Sequence, residues 1–515
     1  MTLFLFLLAA CNPEPAPARL SALPELPPKL GPTAAPPARD PRPFREAVIA
    51  FTAEVQGEIE PCGCPTTPYG GFVRRERLFT DARAMGPPLF VVDAGEMLLK
   101  GTTAPDPEGR LARAEVVLDL AATTGLDAWA VAPTDLVPGG IGLLELSSAL
   151  SSNWLGSDGN SALPTSKIVE RGGVKLGVVG LSAPVDGLSS RDPVQSVVAA
   201  MQGDADAWIV LSNADQATNR LVAGVPGVGM VLTTAGDVLE DPDRSFGAPI
   251  IETAARGRFV TFVHLSLGSI PRAVEITEAS PFRDVAAARQ RGAPDDAAAL
   301  EKWTLARTGD RLRLEAAAAG HNFAVVKTIP LASDLDSGAT EGAAQSRIEL
   351  FRASSLRRAQ ASAQKPTDRG FAGAGTCGGC HADRLVQWVY DPHSSAIDSV
   401  ASRGETRNPE CIGCHTTGFG RPGGFSSVEP RAIEPYKGVQ CEACHGPMQG
   451  HSRRGDRSPE PVTERTCRTC HDPANSPQFD YVAYLSRISC SRIGGGTTDD
   501  PANVTPVPKR RTPSN

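Results

Sequence analysis

Between residues 377 and 471 one five-residue unit is written four times: Cys377-Gly-Gly-Cys380-His381, Cys411-Ile-Gly-Cys414-His415, Cys441-Glu-Ala-Cys444-His445 and Cys467-Arg-Thr-Cys470-His471. These are all the Cys-x-x-Cys pairs in the 515-residue chain. Two chemistries use such pairs. The two thiols can add to the vinyl groups of one porphyrin while the next residue offers its imidazole to the iron. Alternatively, two pairs can close a tetrahedral zinc site or hold an iron–sulfur cluster. The second chemistry has no use for a His after every pair, and the chain holds only 8 His in all. The unit therefore predicts four c-type haems, attached through Cys377 and Cys380, Cys411 and Cys414, Cys441 and Cys444, and Cys467 and Cys470. His381, His415, His445 and His471 are the expected proximal iron ligands.

Attachment of such haems outside the cytoplasm agrees with the amino terminus. Leu3 to Ala10 is an apolar run too short to span a bilayer as a helix. It reads as the h-region of a secretory signal. Leu8-Ala9-Ala10-Cys11 resembles a bacterial lipobox, whose Cys is lipidated and tethers the mature protein to a membrane. An ordinary export signal with a coincidental Cys is the alternative. Residues 12–45 follow as a linker, and the eleven prolines between Asn12 and Pro43 make it an extended, stiff spacer. The expected location is the periplasmic side of the bacterial envelope. A net charge of −7, with Lys and Arg scattered, gives no footprint for nucleic acid. Of the 12 Cys, Cys62, Cys64 and Cys490 belong neither to the repeated unit nor to the lipobox. Cys62 and Cys64, one residue apart, suit a soft metal, thiol exchange or pairing with Cys490.

From residue 46 to about 280 short β-rich runs such as "EAVIAFTAE", "PLFVVDAG", "VKLGVVGLS" and "DAWIVLS" alternate with helical stretches. That order predicts an α/β domain with central sheets and outer helices. Its pieces resemble the 5′-nucleotidase and calcineurin-like metallophosphoesterase superfamily. The likeness rests on Glu54-Val55-Gln56-Gly57, Asp93-Ala94-Gly95-Glu96, "GLDAWAVAPTD", "VLSNAD" and "TTAGD". The superfamily places two metal ions at these loops to activate water against a phosphate ester. Here the matching positions are Glu54, Gln56, Glu96, Thr134, Asn213, Thr234 and Gly236, and no His precedes His264. The resemblance thus implies a sandwich whose hydrolytic metal ligands are largely lost. His264, in an alternating strand, reads as a structural residue.

Residues 281–370 are patterned as a helical connector, with "HNFAVVKTIPL" as a strand-like element that carries His321. Residues 371–490 form the haem segment, and 491–515 a tail too rich in Gly, Thr, Pro and Arg to pack. The haem segment is poor in aliphatic residues, so porphyrins must supply its core, and its folding is expected to follow haem attachment. "GTCGGCHADRLVQWVYDPH", "PECIGCHTTGFGRPGGF", "GVQCEACHGPMQGH" and "TCRTCHDPANSPQFDYVAYL" are similar to the successive motifs of the tetrahaem cytochrome c-554 family. That resemblance implies a mostly helical, loop-rich electron-transfer domain. It also implies distal imidazoles, and His393 and His451 match those places.

The fold class expected is therefore multidomain: an α/β metallophosphoesterase-like sandwich, a helical connector and a multihaem cytochrome c domain. The expected role is electron transfer between redox partner proteins or from a quinol-linked donor, with the sandwich as scaffold or docking module. Two spare His for four irons leave room for an open iron. An oxidoreductase acting on a small nitrogen or sulfur compound is thus the alternative, and a metal-dependent phosphoesterase a third reading.

Overall fold

The computed structural model describes residues 45–61, 68–99, 107–136, 143–144, 147–234, 247–268, 270–278, 321–336, 342–402, 404–451, 460–471, 476 and 479–488. Cys11, residues 12–44 of the linker, Cys62, Cys64, Gly236, residues 281–320 of the connector, Cys490 and the tail lie outside these residues. The chain divides into two compact units. One comprises residues up to 97, 120–135 and 141–342, and the other comprises 98–119, 136–140 and everything from 343 onward.

The first unit is built on two sheets. β1 (Arg45–Thr52), β2 (Leu89–Asp93), β3 (Ala128–Ala130) and β4 (Ala149–Leu150) run parallel. α1 (Phe72–Ala84) and α2 (Pro107–Thr124) lie between the first three of them in sequence. On the other side of β1, β10 (Phe259–Leu267) pairs antiparallel, followed by β12 (His321–Pro330) and, at the edge, β11 (Ile270–Glu278), giving a seven-stranded order β11-β12-β10-β1-β2-β3-β4. The second sheet, of five strands, runs β5 (Ser166–Arg171), β6 (Val174–Leu181), β7 (Ala207–Ser212), β8 (Val228–Thr234) and β9 (Ile250–Thr253).

The period-two alternation of each strand sorts its side chains between two layers. Ile49 and Phe51 of β1 enter one core with Leu176 and Val178 of β6, Ile209 and Leu211 of β7 and Leu232 of β8. Val48 and Ala50 point the other way, onto Phe79 of α1. Val179 and Leu181 of β6 likewise face Val197 of α3 (Pro193–Ala200) and Val222 of α4 (Gln216–Ala223). The result is two sheets face to face with helices outside, the layered α/β class the sequence predicts.

One expectation needs correction. The strand-like element of the connector is β12 (His321–Pro330), inserted between β10 and β11 and paired antiparallel with β10 from Phe259↔Pro330 to Ser266↔Phe323. The sandwich therefore does not close at residue 280. β12 supplies buried Ala324 and Val326 to the same core as β1.

The second unit is helical and loop-rich. Its long helix, α5 (Ala343–Ala363), buries Ile348 and Phe351. The Arg113 and Arg358 guanidinium groups lie 4.9 and 5.6 Å from the Phe351 ring centre, and Arg113 also pairs with Glu410. Beyond α5 come short helices: α6 (Ala374–Gly378), α7 (Ala382–Val389), α8 (Ala396–Ala401), α9 (Pro409–His415), α10 (Pro430–Ile433), α11 (Cys441–His445), α12 (Glu464–Arg468) and α13 (Tyr481–Leu485). Their shared aliphatic cluster is Ile397, Val400, Ile412 and Ile433. Val386, Val389, Tyr390 and Val482 meanwhile stand 55–74% exposed.

Candidate haem site

Each Cys-x-x-Cys-His unit is folded as one helical turn. In the first, Cys380 N and His381 N donate to Cys377 O at 3.1 and 2.9 Å, and in the fourth Cys470 N and His471 N donate to Cys467 O at the same two distances. The second unit ends α9, which Asn408 caps by accepting from Glu410 N at 3.1 Å, and the third is α11 itself. A helical turn stacks residues i, i+3 and i+4 on one face. Both thiols and the imidazole of a unit are thus presented together, as one covalently held, iron-ligated porphyrin requires.

The imidazoles are anchored at one nitrogen. His415 Nδ1 donates to Ala396 O at 2.7 Å, and His445 Nδ1 to Glu460 O at 3.4 Å. A carbonyl can only accept, so Nδ1 carries the hydrogen and the lone pair is left on Nε2, the arrangement of a metal-ligating His. His471 Nδ1 is 2.7 Å from Ser476 Oγ. His393 Nδ1 lies 3.0 Å from Asp391 Oδ1, and the His393 main chain is pinned by Val439 N donating to its carbonyl at 2.8 Å. The rings of His393 and His471 have centroids 6.0 Å apart at an interplanar angle of 74°. Phe479 stacks on His471 at 5.0 Å, and Tyr484 meets it edge-on at 5.7 Å. The Nδ1 of His451 is buried, and among the described residues it has no hydrogen-bond partner. His264 and His321 belong to β10 and β12 of the first unit.

The thiols meet across motifs. A hydrogen bond from Cys441 holds the Cys377 thiol down to about 7, and one from Cys414 holds Cys470 down to about 6. Burial pushes Cys467 up. Motif one thus adjoins motif three, and motif two adjoins motif four. The residues fit the group that the motifs imply: paired thiols, imidazoles with Nε2 left for a metal, and apolar side chains left uncovered by protein.

Two supporting residues escaped the sequence reading. Glu442, 3% exposed, accepts from Ala372 N at 2.9 Å, Gly373 N at 2.8 Å and Met448 N at 2.7 Å. Gln440 Oε1 accepts from Ala374 N at 2.7 Å. Both flank Cys441, but their lead-in partners are main-chain groups some seventy residues away, which leave no mark in a motif.

The first unit's strand ends gather Glu54, Gln56 and Glu96 on left-handed backbone, with φ of 47°, 52° and 54°. Asn213 donates from Nδ2 to Ala94 O and Val131 O, both at 3.1 Å, and accepts from Ala183 N at 2.8 Å. Asp135 Oδ2 accepts from Ala132 N and Glu96 N at 2.9 and 3.0 Å. These side chains stitch loops together, as the Gly95 approach demands: a Cβ there would stand 2.4 Å from Ala130 O. Burial pushes the Asp93 carboxyl up to about 6 and the Arg75 guanidinium beside it down to about 10. Burial and the Glu54 charge raise Glu96. Among the described residues no group of three or more His, Cys, Asp or Glu is placed to hold a metal ion.

Residues 376–446 match the family model described as cytochrome c554 and c-prime. Cytochrome c-554 of Nitrosomonas europaea is 32% identical over 104 residues, which are 17% of this chain and 43% of that protein. The chain thus spans less than half the length of this curated relative. Among solved structures, the sulfate thiohydrolase SoxB of Thermus thermophilus in complex with glycerol gives a TM-score of 0.42 at 17% identity, covering 63% of this chain and 62% of that one. A 5′-nucleotidase precursor, also of Thermus thermophilus, gives 0.37 at 16% identity, covering 43% and 51%. The carboxyl-terminal unit is therefore similar to c-type cytochromes, whose family implies haem and redox partner proteins.

Proposed function

We propose that the chain is an exported, lipid-anchored tetrahaem c-type cytochrome. It would pass electrons between redox partner proteins or from a quinol-linked donor, with the sandwich as scaffold or docking module. The eight thiols of the four motifs would form the thioethers, and His381, His415, His445 and His471 would be the proximal ligands. When bound, each haem supplies a one-electron couple whose potential depends on axial ligands, their hydrogen bonds and burial. The chain's own part is to orient three of those ligands: Ala396 O and Glu460 O fix the tautomer of His415 and His445, and Ser476 Oγ holds His471 in place.

The observation that carries this reading is the His393–His471 pair. Its two rings have centroids 6.0 Å apart, close enough that His393 and His471 would together hold the haem of the fourth motif, with His451 left for another. The thiol contacts support electron exchange within motifs one and three and within motifs two and four. Substituting His393→Ala is the test: one low-spin iron should turn high-spin, whereas an unchanged spectrum would take His393 off the iron. Membrane anchoring through Cys11 and a periplasmic location predict that Cys11→Ser releases the protein into the soluble envelope fraction.

The count of imidazoles favours one second reading. His393 and His451 can close two of the four irons, which leaves two without a distal imidazole from this unit, and an open one would be able to bind and convert a small nitrogen or sulfur compound. Carbon monoxide or nitric oxide added to the reduced protein decides between them: a shifted high-spin band favours catalysis, and four unresponsive irons leave electron transfer alone.

A further inference from the structure

Glu442 is a carboxylate placed where a carboxylate is costly. Its side chain is 3% exposed, both oxygens are occupied by peptide N–H groups, and among the described residues no Lys or Arg lies at ion-pair distance. A buried charge without a cation survives only when several donors surround it. Those donors come from two places. Ala372 and Gly373 lead directly into α6, the helix of the first motif, and Met448 follows the third motif by three residues. Gln440, two residues earlier, takes the next amide of the same lead-in, Ala374 N, and holds Pro435 O and Lys437 O through its own amide at 3.0 and 3.1 Å.

We infer that Glu442 is a shared positioning residue for the first and third haem-binding motifs, and that its charge sets the potentials of those two haems together. This rests on the tetrahaem reading above. The side chain fastens the strand entering motif one to the turn leaving motif three, and the two motifs already touch through Cys377 and Cys441. Its charge lies beside both motifs: Glu442 follows Cys441 directly, and its carboxylate accepts from Ala372 N and Gly373 N at the entry to α6. In a low-dielectric interior a fixed negative charge favours the more positive, oxidised state of a nearby metal. Glu442 would therefore lower two of the four potentials and leave the pair formed by motifs two and four untouched.

The experiment is a haem-resolved redox titration of the full matured protein beside Glu442→Gln, Glu442→Asp and, as a distant charge control, Glu464→Gln. Glu442→Gln should raise two midpoints together and leave two in place, Glu442→Asp should stay near the unsubstituted values, and Glu464→Gln should move neither of that pair. Four unmoved midpoints, a uniform shift of all four, or an Asp variant that moves as far as Gln would overturn the inference. Should Glu442→Gln fail to mature, hydrogen exchange of the unsubstituted holoprotein decides: the amides of Ala372, Gly373 and Met448 should open together and slowly, and fast, independent exchange would refute the clamp. A matured protein without haem would sink the underlying reading. Four haems with immobile midpoints would sink this inference alone.

Discussion

Asp93 shows how one buried residue at the end of β2 shapes behaviour. Its carboxyl stands near 6 against an ordinary 3.8 because it is buried, even though Thr52 Oγ1 and Gly95 N donate to it at 2.6 and 2.8 Å. The folded chain therefore keeps a proton that the unfolded chain releases between about pH 4 and pH 6. That contribution to stability is complete below about pH 4 and is lost as the pH rises toward 6. The thermal midpoint of the sandwich should fall across that window, and Asp93→Asn should flatten the slope. An unaltered slope would shift the cause to Glu96, which is displaced in the same direction. Gly95 has φ +105°, and its absent Cβ would meet Ala130 O at 2.4 Å, so Gly95→Ala should cost about 2 kcal/mol or more in a denaturant melt. The four Cys-x-x-Cys-His motifs proposed to attach haem were legible because five-residue spacing encodes such chemistry directly. Asp391, Gln440 and Glu442 were not, because their work is done on ring nitrogens and amides that only the fold brings near.

At the scale of elements, strands were legible wherever both faces are buried. β1 from Ala47 to Phe51 and β2 from Leu89 to Val92 are continuous apolar runs, as suits a sheet centre. β12 misled for a reason of topology: its sequence separates it from β10 by more than fifty residues, and nothing local reports that "HNFAVVKTIP" returns to the sheet. Its place there is fixed by long-range partners, including the buried Thr261–Thr328 hydroxyl contact at 2.8 Å. Phe51 of β1 is wholly buried in the layer shared by both sheets. Phe51→Ala should remove about 3–5 kcal/mol from the sandwich transition while leaving the visible haem spectrum unchanged. A spectral change would mean that the two units do not fold independently. The motif helices carry the opposite lesson: α6, α11 and α12 are five residues each, too short to be stable alone, and were found through chemistry rather than periodicity.

For the whole molecule, the two units hold themselves together by different means. The sandwich has a core drawn from both of its sheets, whereas the second unit's own aliphatic cluster is Ile397, Val400, Ile412 and Ile433. With that cluster small among the described residues, and with Val386, Val389, Tyr390 and Val482 exposed, the second unit should depend on bound haem for its structure. Chain produced where haem cannot be attached should show one cooperative melt, from the sandwich, and lose the helical signal of the second unit; an unchanged far-ultraviolet spectrum would contradict that dependence. The central claim, that all four motifs are occupied through sulfur, is tested most directly by the intact mass of the matured, acid-denatured protein. The account predicts the mass of the processed polypeptide plus four covalently retained haems, and a mass equal to the polypeptide alone would contradict it.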